Sequence, residues 1–171
     1  MFNWSKDSIY RMRSMERYKS GVARVIHIAG LPVPSEEKCL IVFIRDSMEH
    51  ALNIYTENGW LKEDKNWFKL PVQRITNIVI ESEYELRQYN FGSNMEKSSL
   101  LSAVLASLNR GKFTQNARYL VVEYIADEDI GKPVEERAVQ YMVFACERMR
   151  HRLHRIKRYF DERPTRKRRN V

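Results

Sequence analysis

The apolar residues of this chain keep one period for most of its length and then change to another, and that change limits the folds open to it. Tyr119, Val121, Glu123 and Ile125 alternate with Leu120, Val122 and Tyr124, the two-residue period of a β-strand. Residues 22–29 are rich in β-branched side chains and end at Gly30, Pro32 and Pro34, which bound a strand. Residues 39–44 are apolar on both alternating sets, so they predict a strand covered on both faces. Further strands are expected at residues 52–55, ahead of the Asn58-Gly59 turn signal, at 67–70, 77–81 and 138–144, with a short one at 86–89. Beyond residue 144 the spacing switches. Met149, Leu153, Ile156 and Phe160 lie four, three and four apart, a single stripe along a helix, and Pro164 stops it.

One segment interrupts the strand series. In residues 95–112, Leu100, Leu101, Val104, Leu105 and Leu108 recur at helical spacing, with Ser98 or Ser99 as N-cap and Gly111 as a stop. This predicts a helical insertion. Residues 5–19, with Ile9, Met12 and Met15 among cations, predict a short basic helix. The expected organisation is a basic N-terminal helical extension over 1–21, one domain over 22–163, and a basic, disordered tail over 164–171. The fold class is α+β, mainly β: about seven antiparallel strands, closed as a barrel and capped by the C-terminal amphipathic helix.

The order of seven short strands and one terminal helix resembles the layout of pleckstrin-homology-like domains. The local sequence carries the same resemblance. Val25-Ile26-His27-Ile28-Ala29-Gly30-Leu31-Pro32, followed by the apolar run from Cys39, is similar to the opening of small bacterial members. Leu70-Pro71 with Ile75-Thr76-Asn77-Ile78 is similar to their next segment. Tyr119-Leu120-Val121-Val122-Glu123-Tyr124 and the junction from Phe144 into the helix are similar to their end. The resemblance covers residues 22–160 and implies a binding module rather than a reaction, because this fold hosts ligands as different as lipids and peptides. Two departures qualify it. Such proteins often have a small, glycine-rich stretch where this chain has its leucine-rich insertion. The loop over residues 30–38 carries Glu36 and Glu37 against one lysine, whereas lipid-binding members grip inositol phosphates with several basic residues there.

Charge supplies the functional bias. Residues 1–24 hold six Lys and Arg against two Asp and Glu, a net of +4; residues 25–145 hold 13 against 17, or −4; residues 146–171 hold 11 against three, or +8. An acidic body between two basic ends points to an anionic partner. The polyanion-binding residues expected are Arg148, Arg150, Arg152, Arg155, Lys157 and Arg158 on the helix and Arg166, Lys167, Arg168 and Arg169 in the tail. The leucine-rich segment, Leu100, Leu101, Val104, Leu105 and Leu108, is the candidate protein-interaction face, with a lid over the strands as the alternative.

Catalytic signals are weak, and the chain reads as no enzyme. Phosphate-binding glycine loops are absent from the sequence. His151 and His154 share a helical face, but no cysteine or carboxylate at matching spacing joins them and cations surround them, so no metal or other cofactor is expected. His27 reads as a satisfied strand residue, Cys39 and Cys146 as buried thiols, and the acidic pairs Glu36/Glu37, Asp127/Asp129 and Glu135/Glu136 as solvated loops. No apolar run approaches the roughly 20 residues that span a bilayer, and a cytoplasmic location follows by default. The favoured function is a non-enzymatic adaptor that docks on a protein partner, its basic termini adding attraction. Nucleic acid bound through its phosphates is the alternative, with attachment to an anionic membrane behind it. Each basic residue near such a membrane is worth about 1 kcal/mol, yet the tail has no aromatic wedge and no lipidation motif.

Overall fold

The computed structural model describes residues 21–45, 50–56, 67–92 and 95–162. The expected N-terminal helix and the Arg166–Arg169 cluster lie outside these residues. Seven strands, β1 (Gly21–Ala29), β2 (Lys38–Arg45), β3 (His50–Thr56), β4 (Trp67–Pro71), β5 (Ile75–Glu81), β6 (Arg118–Ile125) and β7 (Val139–Cys146), form one antiparallel sheet. Their order is β4-β3-β2-β1-β7-β6-β5. Two meanders are thus joined where the first strand meets the last, with Ile26 opposite Ala145 and His27 opposite Phe144.

The inner faces of both meanders share one core. Ala23, Val25, Cys39, Ile41, Phe43, Leu52, Ile54 and Leu70 meet Ile78, Leu120, Val122, Met142 and Phe144 there. The sheet is therefore curled, but it is not closed, contrary to the barrel expected from the strand count. Among the described residues no ladder joins β4 to β5. The link between them is Pro71 and a 3-10 turn over Val72–Arg74, and proline cannot donate to a ladder at that end. Arg74 ties the turn to the neighbouring strand instead, its Nε donating to the Ile125 carbonyl at 2.7 Å.

The C-terminal helix α3 (His151–Asp161) packs on β1, β2 and β5 and places Leu153, Ile156 and Phe160 in the inner core. Burying each such side chain contributes about 1.5–3 kcal/mol. Its close approach needs Gly21, where a Cβ would sit 2.8 Å from Ile156 Cγ1. The predicted stripe was one residue too generous at its start: Met149 precedes the helix and is 52% exposed.

The strand expected at 86–89 is absent: residues 86 and 87 end a short helix, and Gln88 caps it. In α1 (Glu83–Arg87), the Ser82 hydroxyl accepts a hydrogen bond from the Glu85 amide while the Glu85 carboxylate accepts one from the Ser82 amide. This reciprocal capping box starts a helix and overrides the short apolar pattern. The helical insertion is present as α2 (Met95–Asn109). It packs on β1 and covers the outer face where β1 meets the second meander, with Val104 and Leu108 joining Ile28, Leu86, Phe91, Tyr119, Val121 and Val143 in a second core.

Candidate functional site

Helix α3 divides its circumference sharply. Leu153, Ile156 and Phe160 point inward, while His151, His154, Arg155 and Arg158 are exposed and Arg150, Arg152 and Lys157 are half-buried. Arg148, also exposed, lies just before the helix. A single buried stripe on an eleven-residue helix leaves the rest of the surface to charged residues, so local periodicity alone creates this cationic face.

The junction that aims the face is unusual. Met149 has φ 56°, the left-handed region that non-glycine residues rarely occupy. Arg150 caps the helix with helical dihedrals and no side-chain hydrogen bond. The Met149 carbonyl accepts from the Arg152 amide at 2.9 Å and the Arg150 carbonyl from the Leu153 amide at 3.0 Å. Beneath the junction the Cys146 thiol donates to the Arg148 carbonyl at 3.0 Å.

Charge is distributed against the helix dipole. Arg148, Arg150 and Arg152 cluster at the N-terminal end, and Asp161 and Glu162 follow at the C-terminal end. Each misplaced charge costs about 0.3–1 kcal/mol at low ionic strength. The acidic residues pair within the helix, Asp161 with Lys157 at 2.9 Å and Glu162 with Arg158 at 4.0 Å. Exposed pairs of this kind contribute about 0–1 kcal/mol. Arg148, Arg150 and Arg155 have no carboxylate at ion-pair distance among the described residues. The cationic face is thus strongest at its head, around exposed Met149, and partly neutralised at its tail. The i,i+4 spacing of Lys157–Asp161 and Arg158–Glu162 made that neutralisation legible in the sequence.

The leucine-rich segment is placed differently from the interaction face expected of it. Val104 and Leu108 are core residues and are not available to a partner. Leu100 and Leu101 are half-buried against the same outer core, and Leu105 is half-buried outside it. The lid alternative describes this helix better, because its apolar side lies on the sheet.

The remaining titratable groups serve the fold. His27 is 1% exposed; its Nε2 accepts from the Leu31 amide at 3.1 Å and its Nδ1 donates to the Pro34 carbonyl at 3.0 Å. Burial holds its pKa below the usual histidine value. Cys39 and Cys146 are free and buried, and burial pushes their thiols up to about 12 and about 11. The acidic loops divide: Asp127, Glu135 and Glu136 are exposed as expected, whereas Glu36 is half-buried and Glu37 and Asp129 are buried. Glu36 pairs with Lys112 at 2.7 Å and Arg110 at 3.3 Å. Asp129 is buried, accepts from Lys132 and from the Ala138 amide, and its pKa is lowered by those two bonds. Among the described residues no three His, Cys, Asp or Glu side chains group to hold a metal ion, and no helix is long and apolar enough to cross a membrane. No protein-family model, curated protein or solved structure matches this chain.

Proposed function

We propose that this chain is a non-enzymatic binding module of pleckstrin-homology-like type whose α3 face docks on an acidic surface of a partner protein. The meander order and the helix that follows β7 support the family reading. One observation carries the docking reading: a solvent-facing methionine in a left-handed backbone conformation, flanked by Arg148 and Arg150 and followed by Arg155, none of which meets a carboxylate among the described residues. Methionine adapts to irregular apolar partners, and a ring of cations around it selects a surface of opposite sign. A phosphate backbone satisfies the cations but offers nothing to Met149, and Asp161 and Glu162 at the far end of the helix repel it.

Nucleic acid is the second reading, favoured only by Arg148, Arg150 and Arg155, which meet no carboxylate among the described residues. The test compares the full chain with an Arg148→Glu/Arg155→Glu variant. Each is used to retain proteins from the native source and is titrated with duplex DNA, RNA and anionic vesicles across a salt series. The expected result is a partner protein held by the wild type and lost by the variant, without retention of duplex, RNA or vesicles at ordinary salt. Retention of duplex with log K falling at about −0.9 per phosphate contact against log salt would replace the first reading with the second. Retention of vesicles alone would replace both.

A further inference from the structure

The β6–β7 connection carries the chemistry that the α3 face lacks. Residues 126–138 hold five Asp and Glu against two Lys and Arg, a net of −3, whereas residues 146–162 hold three acids against six bases, a net of +3. The loop's own cations are engaged within it. Lys132 pairs with buried Asp129 at 2.6 Å, and Arg137 Nε donates to the Lys132 carbonyl at 2.7 Å. Arg74 meets Asp127 at 3.5 Å. Glu128, Glu135 and Glu136 are exposed and meet no cation at ion-pair distance among the described residues.

The same loop presents apolar side chains to water. Four large apolar residues are exposed among the described residues: Tyr84, Ile130, Val134 and Met149. Ile130 and Val134, 47% and 72% exposed, belong to this loop, and Met149 stands at the head of α3. The loop is braced from within. A 3-10 turn over Asp127–Asp129 leads to Ile130, Gly131 takes φ 87°, and a second 3-10 turn follows over Val134–Glu136. Asp129 ties the two halves, accepting from Lys132 and, at 3.0 Å, from the Ala138 amide. A loop held in this way loses little conformational freedom when it is bound.

We propose that the β6–β7 loop of one copy of this chain docks on the α3 head of a second copy. Each surface supplies what the other lacks: Glu128, Glu135 and Glu136 beside two aliphatic side chains, against Arg148, Arg150 and Arg155 around Met149. The two cannot meet within one molecule, because β7 lies between them and eight residues of strand extend about 25 Å. The patches differ, so the contact is heterologous. A net charge of +8 opposes association of two copies. At physiological ionic strength, however, exposed charges farther apart than about 8 Å are largely screened, and the facing patches decide the balance. The proposal rests on the reading of α3 as a protein-docking face and names its partner.

The experiment uses the full chain and two variants that neutralise one surface each, Arg148→Gln/Arg155→Gln and Glu128→Gln/Glu135→Gln. All four positions are exposed, and circular dichroism checks that the fold is kept. Sedimentation is followed over a concentration series into the millimolar range, at low and at high salt. The wild type should form larger species as concentration rises and lose them at high salt. Each variant alone should stay monomeric. An equimolar mixture of the two should give a one-to-one pair and nothing larger, since each keeps the surface that the other has lost. A wild type that stays monomeric overturns the proposal, as does a variant that associates like the wild type or a mixture that stays monomeric. The two readings fail separately. A monomeric wild type that still retains a different protein, lost by Arg148→Glu/Arg155→Glu, overturns this proposal alone. Retention of duplex or vesicles without any protein removes the docking reading beneath it.

Discussion

At the scale of single residues, His27 shows how one side chain can hold a loop. Because the Leu31 amide donates to Nε2, the ring proton resides on Nδ1 and points at Pro34. The neutral tautomer therefore bridges both sides of the β1–β2 connection. Protonation forces Nε2 to carry a proton against the Leu31 amide inside an apolar site, and burial accordingly lowers the pKa. The sign follows from linkage: the unfolded chain takes up a proton near pH 6.5, before the folded one does, so stability is full above that pH and declines as the pH falls through the interval below it. Urea unfolding at pH 7.5 and at pH 5.5 should show a larger loss for the wild type than for His27→Gln, which keeps an acceptor and a donor but does not titrate. Gly30 makes the neighbouring turn possible. It has φ 100°, and a Cβ there would lie 2.0 Å from the Tyr141 carbonyl oxygen. Gly30→Ala should cost about 2–4 kcal/mol in equilibrium unfolding, the sum of backbone strain and a clash with main chain. The glycine and its flanking prolines were visible in the sequence as a turn. The histidine's two partners were not, since both are backbone atoms placed by the loop's path.

At the scale of elements, the terminal helix was legible because its apolar residues repeat at one helical period over eleven residues. Its role divides by face, and substitutions should divide the same way. Ile156→Ala removes a core side chain and should cost about 2–5 kcal/mol, whereas Arg155→Ala should fall within about 0.5 kcal/mol; chemical denaturation of the two variants measures the contrast. The reversed charge order gives a second expectation. His151→Glu puts an anion at the first helical position and should raise stability by about 0.3–1 kcal/mol at low salt, a gain that shrinks as salt is added. Helix α2 gives a third. Val104→Asp should prevent folding or cost more than about 4 kcal/mol, because an unpaired charge enters the outer core. Leu105→Asp, outside that core, should be tolerated, with circular dichroism and urea unfolding as the readouts. The five apolar residues of this segment have one helical spacing, and periodicity could not say which of them a sheet would cover. The segment around Leu86 was misread for a different reason: four residues are too few for an apolar pattern to outweigh the Ser82–Glu85 cap.

At the scale of the whole molecule, the decisive contact joins the first strand to the last, Ile26 against Ala145. Little in the inner core is complete until that pairing and α3 are both in place. Folding should therefore be slow for a chain of this size, in the range of milliseconds to seconds typical of non-local β topologies, and stopped-flow refolding would measure it. The amino-acid sequence alone determined the approximate place of the seven strands, which helix is amphipathic, and that positive charge gathers at the ends, because each follows from residues adjacent in the chain. Only the tertiary structure decided that the sheet curls without closing, that Val104 and Leu108 are core while Arg148 and Met149 face outward, and that Val22, Leu40 and Val42 on the outer face of β1 and β2 are buried. Those outcomes depend on which surfaces meet across long separations, and burial is settled by the neighbour that arrives rather than by the residue that waits.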